Sequence, residues 1–119
     1  MPRARNAAAR ALADSASTFA ALGDETRLRL VARLTSEGPL SIARLADGLP
    51  MTRQGVTKHL RVMEDAGLVQ SSAQGRERVW QLEERRLELA RQHLETISRE
   101  WDERLARLER FVTRDTPPR

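Results

Sequence analysis

The sequence predicts a mostly α-helical fold with one small β-hairpin, arranged as a helix-turn-helix followed by a wing. Three observations predict it. Apolar residues recur at three- and four-residue spacing through most of the 119 residues. Residues 41–66 divide into a short helix, the turn Asp47-Gly48-Leu49-Pro50 and a basic helix. Residues 68–82 hold two short β-prone runs around Ala73-Gln74-Gly75-Arg76, a glycine-containing hairpin signal. The length fits one domain over 1–119, divided into a helix over 6–22, a helical core over 24–66, a wing over 68–82, a long helix over 83–112 and a flexible tail over 113–119.

Each element has its own warrant. The first helix, Asn6 to Leu22, is alanine-rich, and Ala8, Leu12, Ser15, Ala16 and Phe19 fall at helical spacing. Asp24 is suited to cap the second helix, with Glu25 in the favourable first turn. Leu28, Val31 and Leu34 predict its buried stripe, and Gly38-Pro39 ends it. Ser41 caps a third helix carrying Ile42, Leu45 and Ala46, and Thr52 caps a fourth that runs to about Ala66 and stops at Gly67.

Charge is unevenly distributed along the chain. The formal net charge of +4 and a pI near 11.1 favour an anionic partner. Residues 52–63 carry Arg53, Lys58 and Arg61 and no acid, whereas acids and arginines intermix in the last third, as on a solvated helix face. The chain has no cysteine, which removes disulfides, thiolate catalysis and sulfur-ligated metal sites. No apolar run approaches the ~20 residues of a membrane helix, so the expected location is cytoplasmic, with no membrane partner.

Val56, Leu60 and Met63 share one face of the fourth helix and are expected to pack on the second and third helices. Gln54, Lys58 and Arg61 occupy the opposite face, Thr57 flanks it, and Arg53 and Gln54 lie in the first turn. That is the part of a recognition helix whose side chains point most directly at base edges. Arg53 suits guanine, Gln54 suits adenine, Thr57 offers a methyl or hydroxyl, Lys58 reaches a base or a phosphate, and Arg61 is expected to grip a phosphate. Gly55 costs roughly 1 kcal/mol of helix stability relative to Ala, so close packing, close approach to DNA or neutral tolerance would each account for it. His59 reads as a packed, hydrogen-bonded histidine and Trp80 as core. Arg76 sits at the wing tip, where it can enter a minor groove or hold its phosphates.

The last helix would span roughly 45 Å, more than a small winged domain covers, so part of it must project. Its residues Leu87, Ala90, Leu94, Ile97, Trp101, Leu105, Leu108 and Val112 form a stripe, with Glu95–Arg99, Glu100–Arg104 and Glu103–Arg107 as expected ion pairs. The stripe calls for another helix. Leu12, Ala16 and Phe19 of the first helix and Leu94, Ile97, Trp101, Leu105 and Leu108 of the last are the expected interface of a two-fold homodimer.

Three blocks together resemble the ArsR family of bacterial winged-helix regulators. They are Leu22 to Leu30, Val56-Thr57-Lys58-His59-Leu60 through Glu64 to Val69, and Gly75-Arg76 before the second strand. The resemblance covers roughly residues 15–85. It implies a homodimeric transcription factor, usually a repressor, bound to double-stranded DNA at an inverted repeat, with Arg53, Gln54, Thr57 and Lys58 at the family's reading positions. Metal-sensing members resembling this chain carry a cysteine pair where Ser41 and Ala43 stand here. The family's other metal site, shared between two last helices, would meet Arg91, Arg104 and Arg107 around His93, and cationic side chains do not ligate metals. The expectation is therefore no metal, no cofactor and an effector that the sequence does not name. The segment from Ile97 to Leu108 is similar to a metal-independent subgroup.

An enzyme is not expected: tyrosine and cysteine are absent, no glycine-rich phosphate loop occurs, and the two histidines lie on different helices with no nucleophile beside them. The competing reading is a winged-helix module for protein interaction or assembly, without specific DNA readout.

Overall fold

The computed structural model describes residues 9, 10 and 12–115, and the side chains of 114 and 115 are outside that description. Residues 9–10 and 12–14 are helical, a turn follows at Ser15, and α1 spans Ala16–Leu22. The expected continuous first helix is thus interrupted at Ser15, whose hydroxyl lies 2.5 Å from His93 Nδ1. Asn6 and Ala8 lie outside the described residues.

α2 (Glu25–Glu37) is capped by Asp24, whose side chain accepts from the Arg27 amide at 3.0 Å. This amide holds the Asp24 carboxyl below its ordinary value. The buried stripe of α2 corrects the expected one. Leu30 and Leu34 are in the core and Val31 is half-buried, whereas Leu28 is 51% exposed. The helix packs against α1, against the helix over Arg53–Asp65 and against the strand over Glu77–Leu82, and the face centred on Leu30, not the one read from Leu28, is the one turned inward.

A two-residue strand, β1 (Leu40–Ser41), precedes α3 (Ile42–Ala46). It pairs antiparallel with β3 (Glu77–Leu82), Leu40 opposite Trp80, and β3 pairs in turn with β2 (Val69–Gln74). The sheet order is β1-β3-β2. Nothing in a two-residue segment announces a strand, because its partner lies about forty residues away. The wing turn is also tighter than expected. Gln74 pairs with Glu77, which leaves only Gly75-Arg76 between the strands. Gly75 has φ +64 and Arg76 has no positive φ, the pattern of a II′ hairpin turn.

α4 (Arg53–Asp65) starts at Thr52, whose hydroxyl accepts from the Gly55 amide at 3.0 Å. It ends in a Schellman motif. Leu68 N–H donates to Met63 O at 2.8 Å and Gly67 N–H to Glu64 O at 2.9 Å, with Gly67 at φ +75. Leu30, Leu45, Val56, Leu60, Met63 and Leu68 are fully buried and make one core with Leu34, Leu40, Val69 and Trp80. Trp80 fills core as expected, and its indole N–H is the one buried side-chain polar atom left unpartnered among the described residues.

α5 (Glu84–Asp115) runs 32 residues, three residues into the expected tail; residues 116–119 lie outside the description. It stretches the molecule to 72 Å by 36 Å by 20 Å. The expected Glu95–Arg99, Glu100–Arg104 and Glu103–Arg107 bridges are not among the ion pairs of the described residues. Arg91 instead pairs with both Glu88 and Glu95.

Candidate nucleic-acid interface

The site is built on the asymmetry of α4. Val56, Leu60 and Met63 anchor one face in the core. On the other, Arg53, Gln54, Lys58 and Arg61 are exposed and Thr57 is half-buried. Since every acid of this helix lies at its C-terminal end, Glu64 and Asp65, the outward face has a uniform positive sign. Such a face holds donors toward phosphate and base-edge acceptors. Thr57 departs from expectation in one respect. Its hydroxyl donates to Arg53 O at 2.9 Å, so toward an outside group it acts only as an acceptor.

The helix is aimed by residues that sequence reasoning passed over. Arg27 Nε donates to Ala21 O at 2.6 Å, and Nη2 reaches Ala20 O at 3.5 Å, closing the C-terminal carbonyls of α1. Its Nη1 lies 3.4 Å from His59 Nδ1 on α4, and that nitrogen is 3.8 Å from Asp24 Oδ2. His59 is thus packed at the seam of α2 and α4 with a hydrogen-bonding neighbour, as expected. Arg33 does the same at the other end of α2: Nη1 donates to Arg44 O at 2.6 Å, and also reaches Leu45 O and Asp47 O at 3.3 Å, while Nε pairs with Glu37 at 2.9 Å. The Glu37 partner raises the Arg33 pKa, and Arg33 lowers that of Glu37. Two arginines of one helix thus seal the C-terminal ends of two short helices, where cations are favoured and carbonyls lack partners. The block Asp24-Glu25-Thr26-Arg27 was visible as a motif, but nothing local identifies the carbonyls that Arg27 and Arg33 meet.

The five α4 residues are gathered on one element, and Arg76 stands apart from them, exposed at the hairpin tip. Behind it, Arg78 Nη1 donates to Ser71 Oγ across the hairpin at 2.8 Å. Among the expected interface residues, Leu12 and Phe19 are half-buried and Ala16 is exposed. With Ala9, Ala13 and Leu94 they line a shallow apolar concavity of about 530 Å³. Leu94, Ile97, Trp101, Leu105 and Leu108 are all exposed along α5.

A family profile described as a helix-turn-helix domain matches residues 22–71, from the last residue of α1 into β2. An ArsR-like transcriptional regulator from Rhodococcus sp. RHA1 superposes with a TM-score of 0.70 at 39% identity, over 83% of this chain and 92% of that one. The HTH-type transcriptional regulator Rv2034 of Mycobacterium tuberculosis is 44% identical over 63 residues, which are 53% of this chain and 58% of that protein's length. The HTH-type regulator YuzN of Bacillus subtilis is 42% identical over 51% of this chain and 73% of its own length. Matching in helix order, wing and sequence across nearly the whole length of a solved relative, the chain belongs to the ArsR family of winged helix-turn-helix transcriptional regulators.

Proposed function

We propose that this protein is a cytoplasmic homodimeric repressor that reads an inverted-repeat operator. α4 enters the major groove and the Gly75-Arg76 wing rests on the adjacent minor groove. One observation carries the reading. The helix that follows the turn buries Val56, Leu60 and Met63 completely and presents Arg53, Gln54, Lys58 and Arg61 outward with no acid among them. A module that binds an acidic protein would need the same sign but no first-turn pair suited to base edges; Arg53 and Gln54 supply that pair. In this reading Arg53 and Gln54 read bases, Thr57 accepts from a base amino group, Lys58 reaches a base or phosphate, and Arg61 and Arg76 hold the backbone. Two copies joined through α1 and α5 set two α4 helices against two half-sites.

The test is fluorescence anisotropy on the DNA upstream of the protein's own coding region and on a scrambled duplex, at near-physiological salt. The expected preference is about 10³-fold or more, with replacement of Arg53 by Ala abolishing most of it. Equal, weak binding to both duplexes would overturn specific readout and favour an assembly module.

A further inference from the structure

Side chains alternate along the two strands of the wing, and the register assigns each to a face. Ser71 stands opposite Trp80 and Ala73 opposite Arg78, so Ser71, Arg78 and Trp80 share the face that also carries Val69. That face is the one turned to α4, because Val69 and Trp80 share a core with Val56, Leu60 and Met63 of that helix. Arg78 lies one repeat beyond Trp80, about 7 Å further toward the tip. There the core has ended: Trp80 is 2% exposed, whereas Arg78 is open to solvent. Its side chain therefore stands in the angle between the wing and the recognition helix.

The guanidinium is held there without being neutralised. Nη1 donates to Ser71 Oγ at 2.8 Å, a diagonal neighbour across the strands, which uses one of five N–H groups. Arg78 takes part in none of the ion pairs among the described residues. Glu77, the acid beside it in sequence, belongs to the opposite face of the hairpin, with Gln74. A cation whose fork is aimed by a hydroxyl, and which has no carboxylate of its own, is arranged for an anion from outside. A planar guanidinium takes two phosphate oxygens at once. In a duplex lying on the outward face of α4, a sugar-phosphate strand separates the major groove under that helix from the minor groove beside Arg76. That strand runs through the angle in which Arg78 stands.

We propose that Arg78 is a phosphate clamp, gripping the strand that runs between the groove read by α4 and the groove beside Arg76, with Ser71 as the positioning residue that aims its fork. This deepens the DNA-binding reading above and rests on it. It adds a contact that neither the recognition helix nor the wing tip supplies, and one that every base sequence offers alike.

The experiment is fluorescence anisotropy of the full chain on its own upstream DNA and on a scrambled duplex, at a series of salt concentrations, with the urea midpoint of each variant as a check on folding. Arg78→Ala is expected to weaken both duplexes by the same factor, on the order of tenfold, and to lower the slope of log K against log salt by about one unit per half-site. Arg78→Lys keeps the charge without the fork, so it should keep the slope and lose part of the affinity. Ser71→Ala changes no charge and is expected to do the same, which a merely structural loss would not. Wild-type affinity and slope in Arg78→Ala would overturn the clamp, and so would a loss confined to the upstream DNA, which would place Arg78 in base readout. Single methylphosphonates scanned through the upstream duplex give an independent check. Neutralising one particular phosphate per half-site is expected to weaken the wild type and leave Arg78→Ala unaffected; identical profiles for the two proteins would count against the contact. Absence of salt-sensitive binding by the wild type to either duplex would defeat the DNA-binding reading itself, whereas a binding wild type with an unaltered Arg78→Ala defeats this inference alone.

Discussion

Arg33 Nη1 lies 2.6 Å from the carbonyl oxygen of Arg44, so a guanidinium carried by α2 closes the C-terminus of α3. α3 has five residues, too few to be stable alone, and the orientation of α4 depends on it through the turn over 47–52. The same guanidinium is held from behind by Glu37. The positioning of the outward face of α4 therefore passes through a residue that would not touch DNA.

Replacing Arg33 by Ala is expected to destabilise the fold by about 1–2 kcal/mol, since two or three charge-assisted hydrogen bonds to carbonyls are lost from a partly covered site. Lys at this position keeps the charge without the fork and should recover less than half. The urea midpoint, at unchanged slope, is the measurement. A shift too small to resolve in the Ala variant would show that water replaces the clamp at no cost.

Gly55 has room for a methyl group. A Cβ there would lie 3.4 Å from Thr52 Oγ1 and 3.8 Å from Met51 Cβ, ordinary contact distances, so close packing does not explain the glycine. Gly55→Ala is expected to raise stability by about 0.5–1 kcal/mol through helix propensity, with operator affinity unchanged. A stabilised variant that loses tenfold or more in affinity would instead place the DNA backbone against this position.

Arg61 and Arg53 should separate under salt. Losing a phosphate contact lowers affinity for specific and random DNA alike and reduces the slope of log K against log salt by about one unit per half-site. Arg61→Ala is expected to behave so. Arg53→Ala should cost about 1–3 kcal/mol on the operator and little on random DNA. Equal losses on both duplexes after Arg53→Ala would remove it from base readout.

Asp24 gives the fold an acid limb. Its pKa is lowered in the folded chain, chiefly by the Arg27 amide, so the native state prefers the carboxylate. The associated stability is present above the ordinary value of 3.8 and is lost as pH falls through the lower folded value. Glu37, lowered by Arg33, acts in the same direction. Asp24→Asn keeps a capping side chain but removes this titration. Its denaturation midpoint is expected to fall less steeply with acid than that of the wild type; parallel acid limbs would show that the cap's charge contributes nothing.

Much of this architecture was legible because its signals are local. Asp24, Ser41 and Thr52 each accept from an amide three residues ahead. Gly67 supplies the positive φ that ends α4. The four-and-three spacing of Val56, Leu60 and Met63 buries one face and so exposes Arg53, Gln54, Lys58 and Arg61. The misreadings arose where distant chain decides. Leu28 and Leu30 both fit a helical stripe, and the positions of α1, α4 and β3 around α2 select Leu30. Ser15 breaks a segment of good helix formers at the point where it meets His93, 78 residues later. β1 exists only because β3 lies beside it.

The amino-acid sequence by itself determined the order of the helices and the hairpin, the helix caps and the sign of the α4 face, because capping, periodicity and turn chemistry act within about four residues. The tertiary structure alone decided which helix face is inside, that Arg27 and Arg33 close the ends of neighbouring helices, and that the apolar seam of α5 stays uncovered beyond Leu94. Those outcomes depend on which groups meet across the core, where burial and unpaired carbonyls set the energy and sequence separation carries no information.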